Sequence, residues 1–187
     1  MELKNRYPII FCICGKARSG KSEVANCIKD VYIKKGKKVV LSPYTKYLKQ
    51  YISEIIGQDI NDSNKPRDFL QDISSELIKG KLGKQDFFIN RQLEDIDIYS
   101  YFFDVIIISD VRFPREIEVL KEKYDNVISI GVNRKNYESD LTLKQQKDIT
   151  EIALDNYMDY DYMLINESIN NLQRDTNKII DNLGKKV

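Results

Sequence analysis

The stretch GKARSGKS at residues 15–22 follows the apolar run PIIFCIC. Its glycines, lysine and serine have the spacing Gly-x-x-x-x-Gly-Lys-Ser, which is the pattern of a phosphate-binding loop (P-loop) between a strand and a helix. The glycines let the backbone curl so that successive N–H groups point inward, and the next helix adds its positive end. The pattern therefore predicts a strand–loop–helix unit with an anion cup at the end of the strand.

The loop predicts ATP and Mg²⁺ as ligands. Lys21 is expected to reach the β and γ phosphates and the Ser22 hydroxyl to ligate Mg²⁺, while Arg18 either closes on the donor phosphates or points to water. The helix-like run SEVANCIKDVYIKK that follows favours this interpretation over a flexible Gly/Ser loop with a solvated lysine. The predicted nucleotide-binding residues of the loop are Gly15, Lys16, Ala17, Arg18, Ser19, Gly20, Lys21 and Ser22.

Composition bounds the class of protein. The 187 residues suit one domain, and 30 basic against 29 acidic residues give no overall field toward nucleic acid or an anionic membrane. The absence of histidine excludes Ser-His-Asp and Cys-His catalysis and histidine-bound zinc. No apolar run approaches a membrane span and no signal-peptide pattern opens the chain. We expect a cytoplasmic protein whose partners are small nucleotides, with homodimer formation left open.

The three cysteines, Cys12, Cys14 and Cys27, fit neither a disulfide framework nor a metal pattern. Two lie at alternate positions of the first apolar run, so packing in the core is favoured over a reactive thiol.

Short apolar runs alternate with helix-like segments, which predicts a three-layer α/β fold: a doubly wound parallel sheet of about five strands. The segment 86–101 is the hardest to divide between helix and strand. The predicted strands are 8–14, 38–41, 104–109, 126–131 and 160–165. The predicted helices are 22–35, 44–56, 66–78, 86–101, 114–124, 142–156 and 167–183.

The stretch SDVRFPREIEVL at 109–120 follows the third predicted strand. Asp110, at the carboxyl end of a central strand, is predicted to hold Mg²⁺ or its waters beside the loop. Arg112 and Arg115 are predicted to contact the transferring phosphates. The alternative is an aspartate that caps the helix starting at Pro114, with two solvated arginines. The chain lacks the N-K-x-D signature of GTPases and the D-E pair of helicases and transporters, which favours a kinase of small acceptors.

With these residues, GKARSGKS, SPYTKYLK, PRDFLQDISSELIKGK, SDVRFPREIE and TEIALDNYMDYDYMLINESINNL, the chain resembles the bacteriophage-type deoxynucleoside monophosphate kinases. These belong to the P-loop nucleoside monophosphate kinase group. The resemblance implies a single domain over residues 1–187, with a helical acceptor-binding excursion at about 44–100 and a short lid at about 133–150.

Residue by residue, the resemblance puts Arg67 on the acceptor monophosphate and Gln71 near the acceptor base; an exposed helix face is the alternative for both. Arg134, just past the fourth strand, would stack on adenine or steady the γ phosphate, or else be an exposed loop cation. The implied reaction is ATP-dependent phosphorylation of a deoxynucleoside monophosphate. Two alternatives stay open: a P-loop kinase of dephospho-coenzyme A or phosphomevalonate, and a non-catalytic nucleotide-binding regulator.

Overall fold

A computed structural model describes residues 3–60, 66–135 and 142–184, without the side chains of Arg67, Leu143 and Lys144. Its five strands form one parallel sheet in the order β2-β3-β1-β4-β5. This confirms the predicted fold class and all five strands, although β3 and β4 extend further than predicted. The strands are β1 (Ile9–Cys14), β2 (Val39–Leu41), β3 (Val105–Val111), β4 (Val127–Arg134) and β5 (Tyr162–Asn166).

Helices lie between the strands and after the last one. They are α1 (Lys21–Lys34), α2 (Lys46–Ile56), α3 (Arg67–Gln71), α4 (Phe87–Tyr99), α5 (Pro114–Lys123), α6 (Leu143–Gln146), α7 (Ile149–Ile152) and α8 (Ile169–Gly184). The ambiguous segment near residue 90 is thus helical. No helix within the described residues is long and apolar enough to cross a bilayer.

Alternate residues of the central strands pack on opposite faces of the sheet. Phe11, Ile13 and Ile107 face α1 and α8 in one buried cluster. Ile10, Cys12 and Ile108 face α4 and α5 in another. Because both faces are covered, these strands are apolar at nearly every position, as buried parallel strands are. Cys12 and Cys14 are therefore core residues, and burial raises the pKa of both thiols.

The predicted helix at 142–156 is interrupted. Asp148 has an extended backbone, with φ −61° and ψ 142°, and its side chain accepts a hydrogen bond from Thr150 N–H. This caps the start of α7 and prevents a continuous helix from α6. The segment is thus two single-turn helices joined at an N-cap.

The predicted helix at 66–78 also differs, because α3 continues as a π-helical segment, Asp72–Lys81. Ile73 and Ile78, five residues apart, line one apolar groove with α2. One π-turn, closed by hydrogen bonds between residues i and i+5, brings such a pair onto one side of the helix. The wider helix therefore suits the spacing of the apolar residues.

We expect Ile108→Ala to lower the free energy of unfolding by about 2–5 kcal/mol, because it leaves a cavity in a tightly packed interior. Ile108 is fully buried, whereas Ile33 on α1 is 53% exposed. The matched change Ile33→Ala should therefore stay within about 0.5 kcal/mol. Urea unfolding followed by circular dichroism measures both, and equal losses would contradict the assignment of Ile108 to the core.

Candidate functional site

The loop at 15–20 joins the end of β1 to the start of α1, in the middle of the sheet. Gly15 and Gly20 have φ values of 142° and 112°, which L-residues with a side chain rarely adopt. A Cβ on Gly15 would lie 2.4 Å from the carbonyl oxygen of Val132 on β4. The neighbouring strand therefore requires glycine at this position, apart from any need of a ligand.

Lys21 begins α1 with its side chain folded back over the loop. Its ammonium donates hydrogen bonds to the carbonyl oxygens of Gly15, at 2.8 Å, and Lys16, at 2.5 Å. Burial, and next the positive charge of Arg112, lower its pKa to about 7. The protein thus holds a desolvated lysine at the place where the sequence predicts phosphate.

Ser19 adds a buried hydroxyl to the loop. Its side chain is almost fully buried, and its hydroxyl oxygen has no hydrogen-bond partner within the described part of the chain. A residue outside the loop holds the Ser19 backbone, because Asn166 Nδ2 at the end of β5 donates a hydrogen bond to Ser19 O at 2.8 Å. A buried hydroxyl without a partner is costly, and a phosphate oxygen in the cup would satisfy it.

Arg112 reaches the loop from the end of β3. Its Nη1 lies 3.3 Å from Gly15 O, so a guanidinium and the Lys21 ammonium converge on one end of the loop. Glu116 fixes this turn, since its carboxylate accepts from the backbone N–H of Arg112, at 2.7 Å, and of Phe113, at 3.1 Å. Burial raises the pKa of the Glu116 carboxyl to about 7, although the two backbone donors oppose the shift.

Arg115, on the same turn, is directed elsewhere. Its guanidinium forms a bidentate ion pair with Asp86, with contacts of 3.0 and 2.7 Å. The Arg115 side chain is largely exposed and that of Asp86 is half-buried. The structure therefore brings only one of the two predicted arginines to the loop, and a role for Arg115 in transfer stays a prediction.

Asp110 lies at the same edge of the sheet and holds the loop that follows β2. Its Oδ1 accepts from Tyr44 N–H at 2.8 Å, and its Oδ2 accepts from Thr45 N–H at 3.0 Å and Thr45 Oγ1 at 2.6 Å. The carboxylate thus ties the start of the α2 region to the carboxyl end of β3. Any contact of Asp110 with a metal would have to coexist with this role.

The residues present fit the mode in which Mg²⁺ is usually bound. Among the described residues, no three acidic or cysteine side chains are grouped so as to hold a metal ion by themselves. Mg²⁺ typically keeps several waters and takes one or two protein oxygens together with substrate phosphates. The exposed Ser22 hydroxyl on the first turn of α1 and the Asp110 carboxylate suit that mode, and both assignments stay predictions.

A cleft of about 650 Å³ opens beside the loop, between the end of β4 and the junction of β5 with α8. Arg18, Arg134 and Asn166 are among its lining residues. Arg134 Nη1 lies 3.3 Å from Arg18 O, so these two predicted nucleotide-binding arginines share one cleft. Arg18 has a φ of 58°, a strained value for a residue with a side chain.

The acceptor residues are less well defined. Gln71 is half-buried at the end of α3, and its carbonyl oxygen accepts from Ser74 Oγ at 3.2 Å. The side chain of Arg67 lies outside the described residues, as do positions 136–141 of the predicted lid. The assignments of Arg67 and Gln71 to the acceptor stay predictions.

Glu151 is a site residue that no sequence pattern indicates. Its Oε2 accepts from the N–H of Ala17 in the loop at 2.8 Å, and its Oε1 lies 2.9 Å from Arg112 Nη1. No local motif marks this glutamate, because 134 positions separate it from Ala17. Glu116 was also missed, but Pro114 followed by Glu116 carries the signal of a capped helix start.

Comparisons with known proteins support the fold. No family model matches the chain, and no curated protein matches its sequence.

The APS kinase CysC of Mycobacterium tuberculosis, in complex with AMPPNP and APS, superimposes with a TM-score of 0.55 at 10% identity, over 95% of this chain and 98% of that one. A mutant of the same enzyme gives 0.54 at 11% identity, with the same coverage. The shikimate kinase of Aquifex aeolicus gives 0.50 at 11% identity, over 94% of this chain and 97% of that one. The chain has the α/β fold of P-loop kinases.

Proposed function

We propose that this chain is a P-loop kinase that transfers the γ-phosphoryl group of ATP to a deoxynucleoside monophosphate. The observation that carries the proposal is the convergence on one loop of the Lys21 ammonium, the Arg112 guanidinium and the buried Ser19 hydroxyl, which has no hydrogen-bond partner among the described residues. The buried Lys21 and the half-buried Arg112, beside the curled backbone of the loop, form a cup for a polyanion. Structures of similar fold belong to kinases that act on small molecules, APS and shikimate.

The acceptor assignment rests on the sequence resemblance to bacteriophage-type deoxynucleoside monophosphate kinases. The described excursion is helical and has its own apolar cluster, in which Leu48, Ile52 and Leu70 are buried. Asp110 ties its start to the carboxyl end of β3, beside the donor loop. An acceptor bound against this region would lie near the γ phosphate, as in-line transfer requires.

Phosphoryl transfer requires the protein mainly to position the two substrates and to stabilise charge. A monophosphate acceptor oxygen is already ionised, so no general base is required and the lack of histidine is no obstacle. Lys21 and Arg112 would stabilise the charge on the transferring group, since fixed donors in a desolvated site act strongly on a developing charge. Mg²⁺, held by Ser22 and the phosphates with Asp110 beside it, would neutralise further negative charge. The cleft next to Arg18 and Arg134 would hold the donor base.

A panel of acceptors tests the proposal. The purified protein is incubated with ATP and Mg²⁺ and each common ribo- and deoxynucleoside monophosphate, with dephospho-coenzyme A, APS and shikimate as further acceptors. We expect diphosphate formation from at least one deoxynucleoside monophosphate, well above the rate of ATP hydrolysis. Transfer only to another acceptor would reassign the substrate. Binding of ATP without any transfer would indicate a regulatory protein instead.

Lys21→Ala should lower turnover at least about a hundredfold, because loss of one preorganised charge-stabilising group costs about 3–4 kcal/mol of barrier. Lys34→Ala on the exposed face of the same helix removes an equal charge and should have little effect. Initial rates at saturating ATP measure the change, and thermal unfolding checks that both variants fold. Near-normal transfer by a folded Lys21→Ala protein would refute the assignment.

When ATP binds at pH 8, the Lys21 side chain should take up close to one proton from the solvent. With a pKa of about 7 in the free protein, Lys21 is mostly neutral at pH 8, and the bound phosphates favour its charged form and so raise its pKa. At pH 6 Lys21 is already mostly charged, so the uptake that it contributes should be small, and the apparent affinity for ATP should fall as the pH rises above 7. Titration calorimetry in buffers of different ionisation enthalpy measures the uptake.

Glu116 is the control for this measurement, because its carboxyl also has a pKa of about 7. The variant Glu116→Gln removes that titration and should retain the uptake at pH 8. Absence of uptake at pH 8 in both proteins would contradict the assignment of the proton to Lys21.

A further inference from the structure

The segment at 148–155 lies directly on the P-loop. Glu151 contributes both oxygens, one to the backbone N–H of Ala17 at 2.8 Å and one to the guanidinium of Arg112 at 2.9 Å. A second contact supports it, because Lys16 Nζ and Asp155 form an ion pair at 2.7 Å. The Glu151 side chain is only 11% exposed, so this contact is packed and excludes most water.

The partners of Glu151 are those that a phosphate would use. A loop N–H and an arginine fork bind carboxylate and phosphate oxygens in the same way. We propose that Glu151 occupies the phosphate cup as an intramolecular anion, so that the turn at 148–153 inhibits nucleotide binding until it is displaced. The inference rests on the proposed function, because it takes the loop to be the donor phosphate site.

The local structure makes displacement feasible while keeping the segment attached. The helix α7 is a single turn, and its start is held by the hydrogen bonds of Asp148 to the N–H and hydroxyl of Thr150. Beyond it, Leu154 and Tyr157 pack against the buried cluster on the α5 side of the sheet. We therefore expect Glu151 and its turn to swing away from the loop while residues 154–157 remain in place.

The consequence is a cost to nucleotide affinity. When only a fraction of the molecules has an open cup, the apparent dissociation constant is the intrinsic one divided by that fraction. Removal of the carboxylate also frees Arg112 for phosphate. Loss of Glu151 should therefore tighten binding rather than weaken it, which is the opposite of what a ligand-contacting glutamate would show.

The test measures binding of inorganic tripolyphosphate and of ADP by titration calorimetry. Tripolyphosphate probes the cup without the base cleft. For an open fraction of about 0.1–0.3, Glu151→Ala should lower the dissociation constant of both ligands about three- to tenfold. Glu151→Gln, which retains an acceptor oxygen but loses the charge, should have a smaller effect in the same direction.

The control is Glu94→Ala, which removes a carboxylate paired with Arg91 on the exposed face of α4 and should leave both constants unchanged. Unchanged or weaker binding by the folded Glu151 variants, beside a wild-type protein that binds, would overturn this inference and leave the donor site standing. Failure of the wild type and all variants to bind either ligand would overturn both.

Hydrogen exchange of the wild-type protein gives a second measurement that needs no variant. Saturating tripolyphosphate should speed exchange of the backbone amides at 149–153 at least about threefold, because displacement exposes them to water. Equal or slower exchange in these residues would show that the segment stays on the loop and would contradict the proposal.

Discussion

The parallel pairing of β1 with both β3 and β4 is the constraint on which the rest of the structure depends. Cys14, the last residue of β1, pairs with Val111 on one side and Gly131 on the other. The loop that begins at Gly15 is therefore flanked by the end of β3 on one side and by the second half of β4 on the other. Because β4 approaches so closely, its Val132 carbonyl leaves no room for a Cβ at Gly15. Apolar burial on both faces of the sheet thus sets the geometry of a polar site at its edge.

Charge at this edge is arranged before any ligand is bound. Lys21 and Arg112 are close enough that the arginine lowers the pKa of the lysine, after the larger effect of burial. Carbonyl oxygens of the loop and the carboxylate of Glu151 partly compensate the two cations. Such preorganised charge strongly favours the binding of a polyanion, because water has already been removed from the two cations during folding. It also explains why the protein supplies its own anion at the cup.

Asp110 connects the two halves of the proposed site. Its carboxylate belongs to the strand beside the donor loop, yet its three hydrogen bonds hold Tyr44 and Thr45 at the start of the helical excursion. Tyr44 is anchored further, because its hydroxyl donates to Glu116 O at 3.0 Å. The position of α2 relative to the loop is therefore fixed by the same turn that carries Arg112.

The sequence by itself determined the elements: five strands, the loop with its glycines and lysine, and the helix that follows, because each is encoded by neighbouring residues. Two predicted helices were wrong in detail, because local periodicity did not reveal the N-cap at Asp148 or the π-helical segment at Asp72–Lys81. Only the tertiary structure decided that Arg112 reaches the loop while Arg115 pairs with Asp86, and that Glu151 binds Ala17. These contacts join residues far apart in the chain, and strand order and helix packing, which no local pattern encodes, bring them together.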